Sequence, residues 1–167
     1  MKLTVGESID QLYETYGPEE IIDLYRTAAR STEDAIAVCV GSEHREGHDF
    51  ILEGLHLEPA LAAHLVQVHG AEVVRPLFLV RTDPEAFLRD VPKSTTPFDW
   101  ILAQASTSST RERIAAMICR YGEEIRREAE QHSLPTLVMD EHFDDQVERG
   151  IAALLSDRPP AAPGPSS

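Results

Sequence analysis

Three short apolar runs interrupt an otherwise helical pattern in this sequence. They are residues 49–54, 73–80 and 136–140, and each is too short and too uniformly apolar for an amphipathic helix. Runs of this kind are typical of strands that are buried on both faces of a parallel sheet. The sequence therefore predicts an α/β fold, in which helices cover both faces of a parallel sheet to give three layers.

Apolar residues with a helical period flank and separate these runs. The predicted helices cover residues 8–16, 18–41, 59–70, 110–129 and 144–155, with a brief helix that Thr82 or Asp83 caps and that carries Phe87 and Leu88. In the last helix, the side chains expected to face inward are Val147, Ile151, Leu154 and Leu155. We expect one domain over residues 1–157, and a disordered tail over residues 158–167, which are rich in Pro, Ala, Gly and Ser.

The charge balance limits the partners of the chain. Its 29 acidic and 15 basic residues give a formal net charge of −14, which repels phosphate backbones, so nucleic acid is not expected as a partner. The sequence shows no signal segment and no membrane span. Cys39 and Cys119 lie far apart without CxxC spacing, which fits buried free thiols in a reducing compartment. We expect a cytoplasmic protein.

Polar side chains follow each of the three predicted strands. Glu53 and His56 come after the first strand, Arg81 and Asp83 after the second, and Asp140 ends the third. Because the carboxyl ends of parallel strands meet at one edge of a sheet, and ligands bind at that edge, we expect these side chains to share one site.

The segment 50–59, FILEGLHLEP, resembles the third strand of P-loop small-molecule kinases, especially the 2-phosphoglycerate kinase and zeta-toxin-like group. Residues 77–87 are similar to the fourth strand and the entry to the lid of these kinases, and residues 114–121 to the helix after the lid. Residues 136–140 take the place of the last strand. The resemblance covers residues 18–155. It implies phosphoryl transfer from Mg-ATP to a small hydroxylated or phosphorylated metabolite.

The same resemblance implies roles for six side chains. Glu53 would hold Mg²⁺ through water or accept the proton of the attacking hydroxyl, and Arg120 would stabilise charge on the transferred phosphoryl group. The substrate-binding candidates are His56, Arg89 and Arg113, and the candidate beside the nucleotide base is Asp140. The structural alternatives are a strand-end cap for Glu53, a core histidine for His56 and solvated helix charges for the arginines.

The phosphate-binding pattern GxxxxGK[ST] is absent from this sequence. Gly41 and Gly47 are separated by one residue too many and are followed by His48, and residues 92–95, PKST, lack the glycines. The first strand of the family and its loop are therefore missing, and we expect that the isolated chain does not bind ATP. Three explanations stay open: a fragment of a longer kinase, which we favour, a partner that supplies the strand, or a rearranged sheet.

Two other functions compete with the kinase fragment. One is a non-catalytic binding or regulatory module of the same descent, which forms a homodimer or binds a partner chain through exposed strand edges. The other is a metalloprotein, since His44 and His48 are four residues apart and His56 follows. The histidines show neither HExxH nor Cys/His ligand spacing, so no metal site is predicted.

Overall fold

The computed structural model describes residues 8–90 and 104–155 of the chain. Its elements, in chain order, are α1 (Ile9–Thr15), α2 (Pro18–Glu46), α3 (Pro59–His69), β1 (Phe78–Val80), α4 (Pro84–Asp90), α5 (Ser108–Gln131), β2 (Thr136–Val138) and α6 (Phe143–Leu155). The predictions for residues 158–167 lie outside the described residues.

Local sequence signals explain where the first helices begin and end. Ser8 caps α1, and its hydroxyl accepts a hydrogen bond from the backbone N–H of Gln11, whose side chain returns the contact to Ser8. Pro18 opens α2, where its missing N–H costs no hydrogen bond. Gly47 ends α2 in the left-handed region with φ of 74°, so this helix runs past the predicted end near residue 41.

The long helix α5 is the central element of the fold. Its buried side chains Ile114 and Met117 form a core with Tyr13 of α1 and with Ile21 and Ile22 of α2. The helix also contacts α3, α4 and both strands. A smaller core lies between the C-terminal half of α2 and helix α3. Its buried members are Val40, Leu61 and Leu65.

The two strands form a parallel pair, in which Phe78 faces Thr136 and Val80 faces Val138. The regular pairing begins after Pro76, as the sequence predicts, because proline has no N–H to donate. One face of the pair lies against α5, where Gly122 meets the backbone carbonyl of Arg81 so closely that any side chain would collide. On the other face, α6 lies over Leu137 and Leu77 at Gly150.

The predicted three-layer α/β fold is wrong. Of the residues that the structure describes, 68% are helical and 4% are in strands, and these strands make only a two-stranded parallel sheet. The main difference lies in residues 49–54, which form no strand: Ile51 is 89% exposed, and Phe50 and Leu52 are exposed as well. An apolar run becomes a buried strand only where neighbouring strands and helices cover it, and here no described element covers residues 50–52.

Two predictions of burial are also corrected. Cys119 is buried, but Cys39 is exposed on α2. In α6, Leu154 is partly buried as predicted, whereas Val147, Ile151 and Leu155 are exposed. The helical period correctly identifies the apolar side of α6, but the two-stranded sheet covers only part of this side.

Candidate functional site

Asp140 lies just past β2 and joins the ends of the two strands. Its carboxylate accepts hydrogen bonds from the backbone N–H groups of Thr82 and Asp83, at 3.1 Å each, and from the Thr82 hydroxyl at 2.6 Å. The side chain is buried. Three donors that converge on a buried carboxylate satisfy most of its acceptor capacity, so in this structure Asp140 acts as a link between the strand ends.

Asp83 fixes the next turn of the chain. Its carboxylate accepts hydrogen bonds from the backbone N–H groups of Glu85 and Ala86, at 2.8 and 3.2 Å, and it thereby caps the start of α4. This confirms Asp83 as the predicted cap. Arg81, on the other side of Thr82, forms an ion pair with Asp90 at 2.9 Å.

The three candidate arginines lie on helices and have partners there. Arg120 on α5 pairs with Glu19 of α2 and, at 3.5 Å, with Glu124. Arg113 on α5 donates a hydrogen bond to the backbone carbonyl of Tyr13 at 2.6 Å, which joins α5 to α1. Arg89 at the end of α4 is more than half exposed, and it lies 4.0 Å from the carboxylate of Asp90.

Glu53 and His56 belong to the segment between α2 and α3. Glu53 is exposed and His56 is half-buried. Among the described residues, no hydrogen bond or ion pair joins any two of the six predicted site residues. Asp140 is near Arg81 and Asp83, as expected for adjacent strand ends, but the contacts give no sign that Glu53 reaches them.

A polar cluster that the sequence analysis missed joins α2, α3 and α5. The guanidinium of Arg26 lies 3.4 Å from Glu58, 3.5 Å from Glu124 and 3.1 Å from Glu128, and 5.6 Å from the ring centre of Tyr121. The hydroxyl of Tyr121 donates to Glu58 at 3.0 Å. The sequence signal for such a cluster was the four-residue spacing of Glu124 and Glu128, which places both carboxylates on one side of α5.

The environment of this cluster keeps the Arg26 guanidinium charged and the Tyr121 hydroxyl protonated. Burial opposes the charge of Arg26, but Glu58 and Glu128 outweigh this effect and raise the pKa of the guanidinium. Burial, and then the nearby Glu58 carboxylate, raise the pKa of the Tyr121 hydroxyl. Every charged group here therefore has a partner, and the cluster joins three helices.

Cys119 and several histidines have packing or ion-pair contacts. Burial raises the pKa of the Cys119 thiol to about 11, which keeps this thiol protonated and unreactive at neutral pH. His44 packs edge-on against His69, with ring centres 5.5 Å apart, and His48 contacts Glu43 at 3.0 Å. Within residues 8–90 and 104–155, no group of three or more His, Cys, Asp or Glu side chains is arranged to hold a metal ion.

Residues 49–56 form the most unusual surface of the described chain. The segment is fixed at one end by Gly47, which ends α2, and at the other by Pro59, which begins α3. Its apolar side chains are exposed, namely Phe50, Ile51, Leu52 and Leu55. From Asp49 to Glu53, the backbone makes no hydrogen bond to the backbone of any other described residue. An apolar segment whose backbone groups have no backbone partners among the described residues can pair with an added strand.

No family model, curated protein or solved structure matches this chain. The resemblance to P-loop kinases therefore rests on the sequence motifs alone. Of the helices that the structure describes, none is long and apolar enough to cross a membrane.

Proposed function

We propose that this chain is a non-catalytic binding module that recognises an extended apolar segment of another polypeptide through residues 49–56. The observation that carries the proposal is the exposure of Phe50, Ile51 and Leu52 in a segment without helix or strand that connects two helices. Exposed apolar surface is unfavourable in water by about 25 cal/mol per Å², and a partner that covers it recovers this free energy.

The chemistry of the segment favours a strand as the partner. An added strand would bond to the N–H and C=O groups of residues 49–53, which have no backbone partners among the described residues. Its side chains on the two faces of the pair would cover Phe50 and Leu52 on one face and Ile51 on the other. The edge of β1 that faces away from β2 offers a second row of backbone groups, since no described strand pairs with it. The partner is therefore expected to be rich in β-branched and aromatic residues.

A displayed library of random nonapeptides, selected on the purified chain, tests the proposal. We expect the enriched peptides to be apolar and β-branched, and we expect Ile51→Asp to weaken their binding at least tenfold in fluorescence anisotropy. Val38→Asp is the matched control, because Val38 is 71% exposed on α2, and it should leave the affinity unchanged. Equal affinities for Ile51→Asp and the wild-type chain would refute the proposal.

A small-molecule kinase is the second candidate function. Its support is the parallel pairing of β1 with β2 across helical segments, which agrees with the kinase-like order of residues 77–140, together with the buried Asp140 at the strand ends. In this proposal, a longer form of the protein carries a GxxxxGK[ST] loop and uses Mg-ATP to phosphorylate a small metabolite. Glu53 and Arg120 would be its catalytic residues, and the substrate-binding residues would be His56, Arg89 and Arg113.

The two candidates differ in whether a longer form of the protein binds nucleotide, since neither expects the isolated chain to do so. The binding module predicts no saturable Mg-ATP binding by the isolated chain in calorimetry, and saturable binding would contradict it. The kinase predicts an in-frame GxxxxGK[ST] upstream of Met1 and a full-length protein whose turnover falls strongly in Glu53→Gln. Under either proposal we place the chain in the cytoplasm, where the exposed Cys39 thiol stays reduced.

A further inference from the structure

The helix α6 carries a second exposed apolar surface, separate from residues 49–56. Four apolar side chains lie four residues apart along it and are all exposed; we call them the α6 apolar stripe, and they are Phe143, Val147, Ile151 and Leu155. Residues at this spacing lie one above another on a helix, so the stripe extends over three turns, or about 18 Å. It is long enough to contact a second helix along its whole length.

The stripe lies next to the side of α6 that packs against the sheet. Gly150 and Leu154 face the sheet, where a side chain at Gly150 would lie 3.3 Å from Leu137 and 3.4 Å from Leu77. Leu79, which is opposite Leu137 in the strand register, is 60% exposed on the same sheet face. The sheet therefore uses one side of α6 and leaves the adjacent side without a partner among the described residues.

Charged side chains around the stripe identify the chemistry of its partner. Asp144 and Glu148 directly follow stripe residues, so they lie about 100° around the helix and border the stripe on its solvent side. Asp145 adds a third acid to the same two turns. Arg149 is the only cation on α6, and the helical period places it on the side opposite the stripe. At the far end, Arg75 donates to the carbonyl of Leu154 at 3.0 Å.

We infer that the α6 apolar stripe binds a basic amphipathic helix of another protein. The apolar side of that helix would cover the stripe, and its Lys or Arg residues would lie against Asp144 and Glu148 in the first two turns. A second copy of this chain is disfavoured as the occupant, because each copy has a net charge of −14 and would bring the same acids to the contact. The inference does not depend on the proposed function of residues 49–56.

Three synthetic helical peptides of equal length test the inference. The first has leucines at stripe spacing bordered by lysines, the second replaces these lysines with glutamates, and the third replaces the leucines with serines. We expect the lysine–leucine peptide to bind the full chain at least tenfold more tightly than either of the others in fluorescence anisotropy, with the affinity falling as salt is raised.

Matched variants separate a specific surface from general attraction between a cationic peptide and an acidic protein. We expect Val147→Ser with Ile151→Ser to weaken binding at least tenfold, and Val38→Ser on α2 to leave it unchanged. The double variant Asp144→Asn, Glu148→Gln should reduce the preference for the lysine peptide over the glutamate peptide. The control double variant Glu33→Gln, Asp34→Asn removes the same charge from α2 and should reduce this preference less. Equal effects of the two charge pairs, or a dimer in sedimentation equilibrium that Ile151→Ser dissociates, would overturn the inference.

Discussion

The carboxylate of Asp140 shows how one buried residue can link two strand ends. It is buried at the end of β2 and accepts hydrogen bonds from the backbone N–H groups of Thr82 and Asp83 and from the Thr82 hydroxyl. The resemblance to kinases implies that Asp140 lies beside a nucleotide base. A position at a strand end suits this role as well as the link between the strands. The sequence predicts that Asp140 lies at the end of a strand. Its hydrogen-bond partners depend on the turn of residues 81–83, which the sequence pattern does not specify.

Replacing Asp140 tests this structural role. Asp140→Ala removes the acceptor of two partly buried backbone donors, and we expect it to lower the free energy of unfolding by about 1–3 kcal/mol. Urea denaturation measures this change. Asp34→Ala, an exposed acid on α2, is the control and should change stability by less than about 0.5 kcal/mol. Equal stabilities for the two variants would show that the link between the strand ends carries little energy.

At the scale of elements, the sequence predicts helices better than strands. The predicted ranges of α3 and α6 agree with the structure to within a few residues, because the apolar period and the flanking Pro and Gly are local signals. Residues 78–80 and 136–138 are strands, as predicted, because each has the other as a neighbour. The run 49–54 has equal strand propensity but no neighbour among the described elements, and sequence propensity contains no information about neighbours.

The contact between α5 and the sheet is close at Gly122 and gives a prediction for this element. A side chain at Gly122 would collide with the backbone carbonyl of Arg81, which cannot move without shifting β1. We therefore expect Gly122→Ala to destabilise the protein by about 1–3 kcal/mol, despite the higher helix propensity of alanine. Thermal unfolding followed by circular dichroism measures the change.

Gly41 provides the matched control within α2. A side chain there would meet its nearest neighbour, a His69 ring carbon, at an ordinary 3.8 Å. Gly41→Ala should therefore leave stability unchanged or raise it by up to about 1 kcal/mol. If Gly122→Ala were as stable as Gly41→Ala, α5 would not pack against β1 as closely as described.

For the whole molecule, the described residues form a helical protein around α5, with a small sheet on one side and two uncovered apolar surfaces. Its helices are joined by satisfied polar contacts, of which the Arg26 cluster is the largest. The sequence predicts Glu53, His56 and Asp140 at one sheet edge, and the resemblance to kinases adds Arg89, Arg113 and Arg120 near the lid. That expectation depended on a larger sheet. The two-stranded sheet places Asp140 beside Thr82 and Asp83, while Arg113 and Arg120 contact α1 and α2 instead.

The availability of residues 49–56 for an added strand is the central claim, and amide hydrogen exchange tests it most directly. In the free chain, the amides of residues 50–53 should exchange rapidly, while those of α5 residues around Ile114 should be protected by helix hydrogen bonds and burial. Adding a nonapeptide selected on the chain should slow exchange at residues 50–53 and leave the α5 amides unchanged. Slow exchange at residues 50–53 in the free chain, or no change when the peptide binds, would contradict the account.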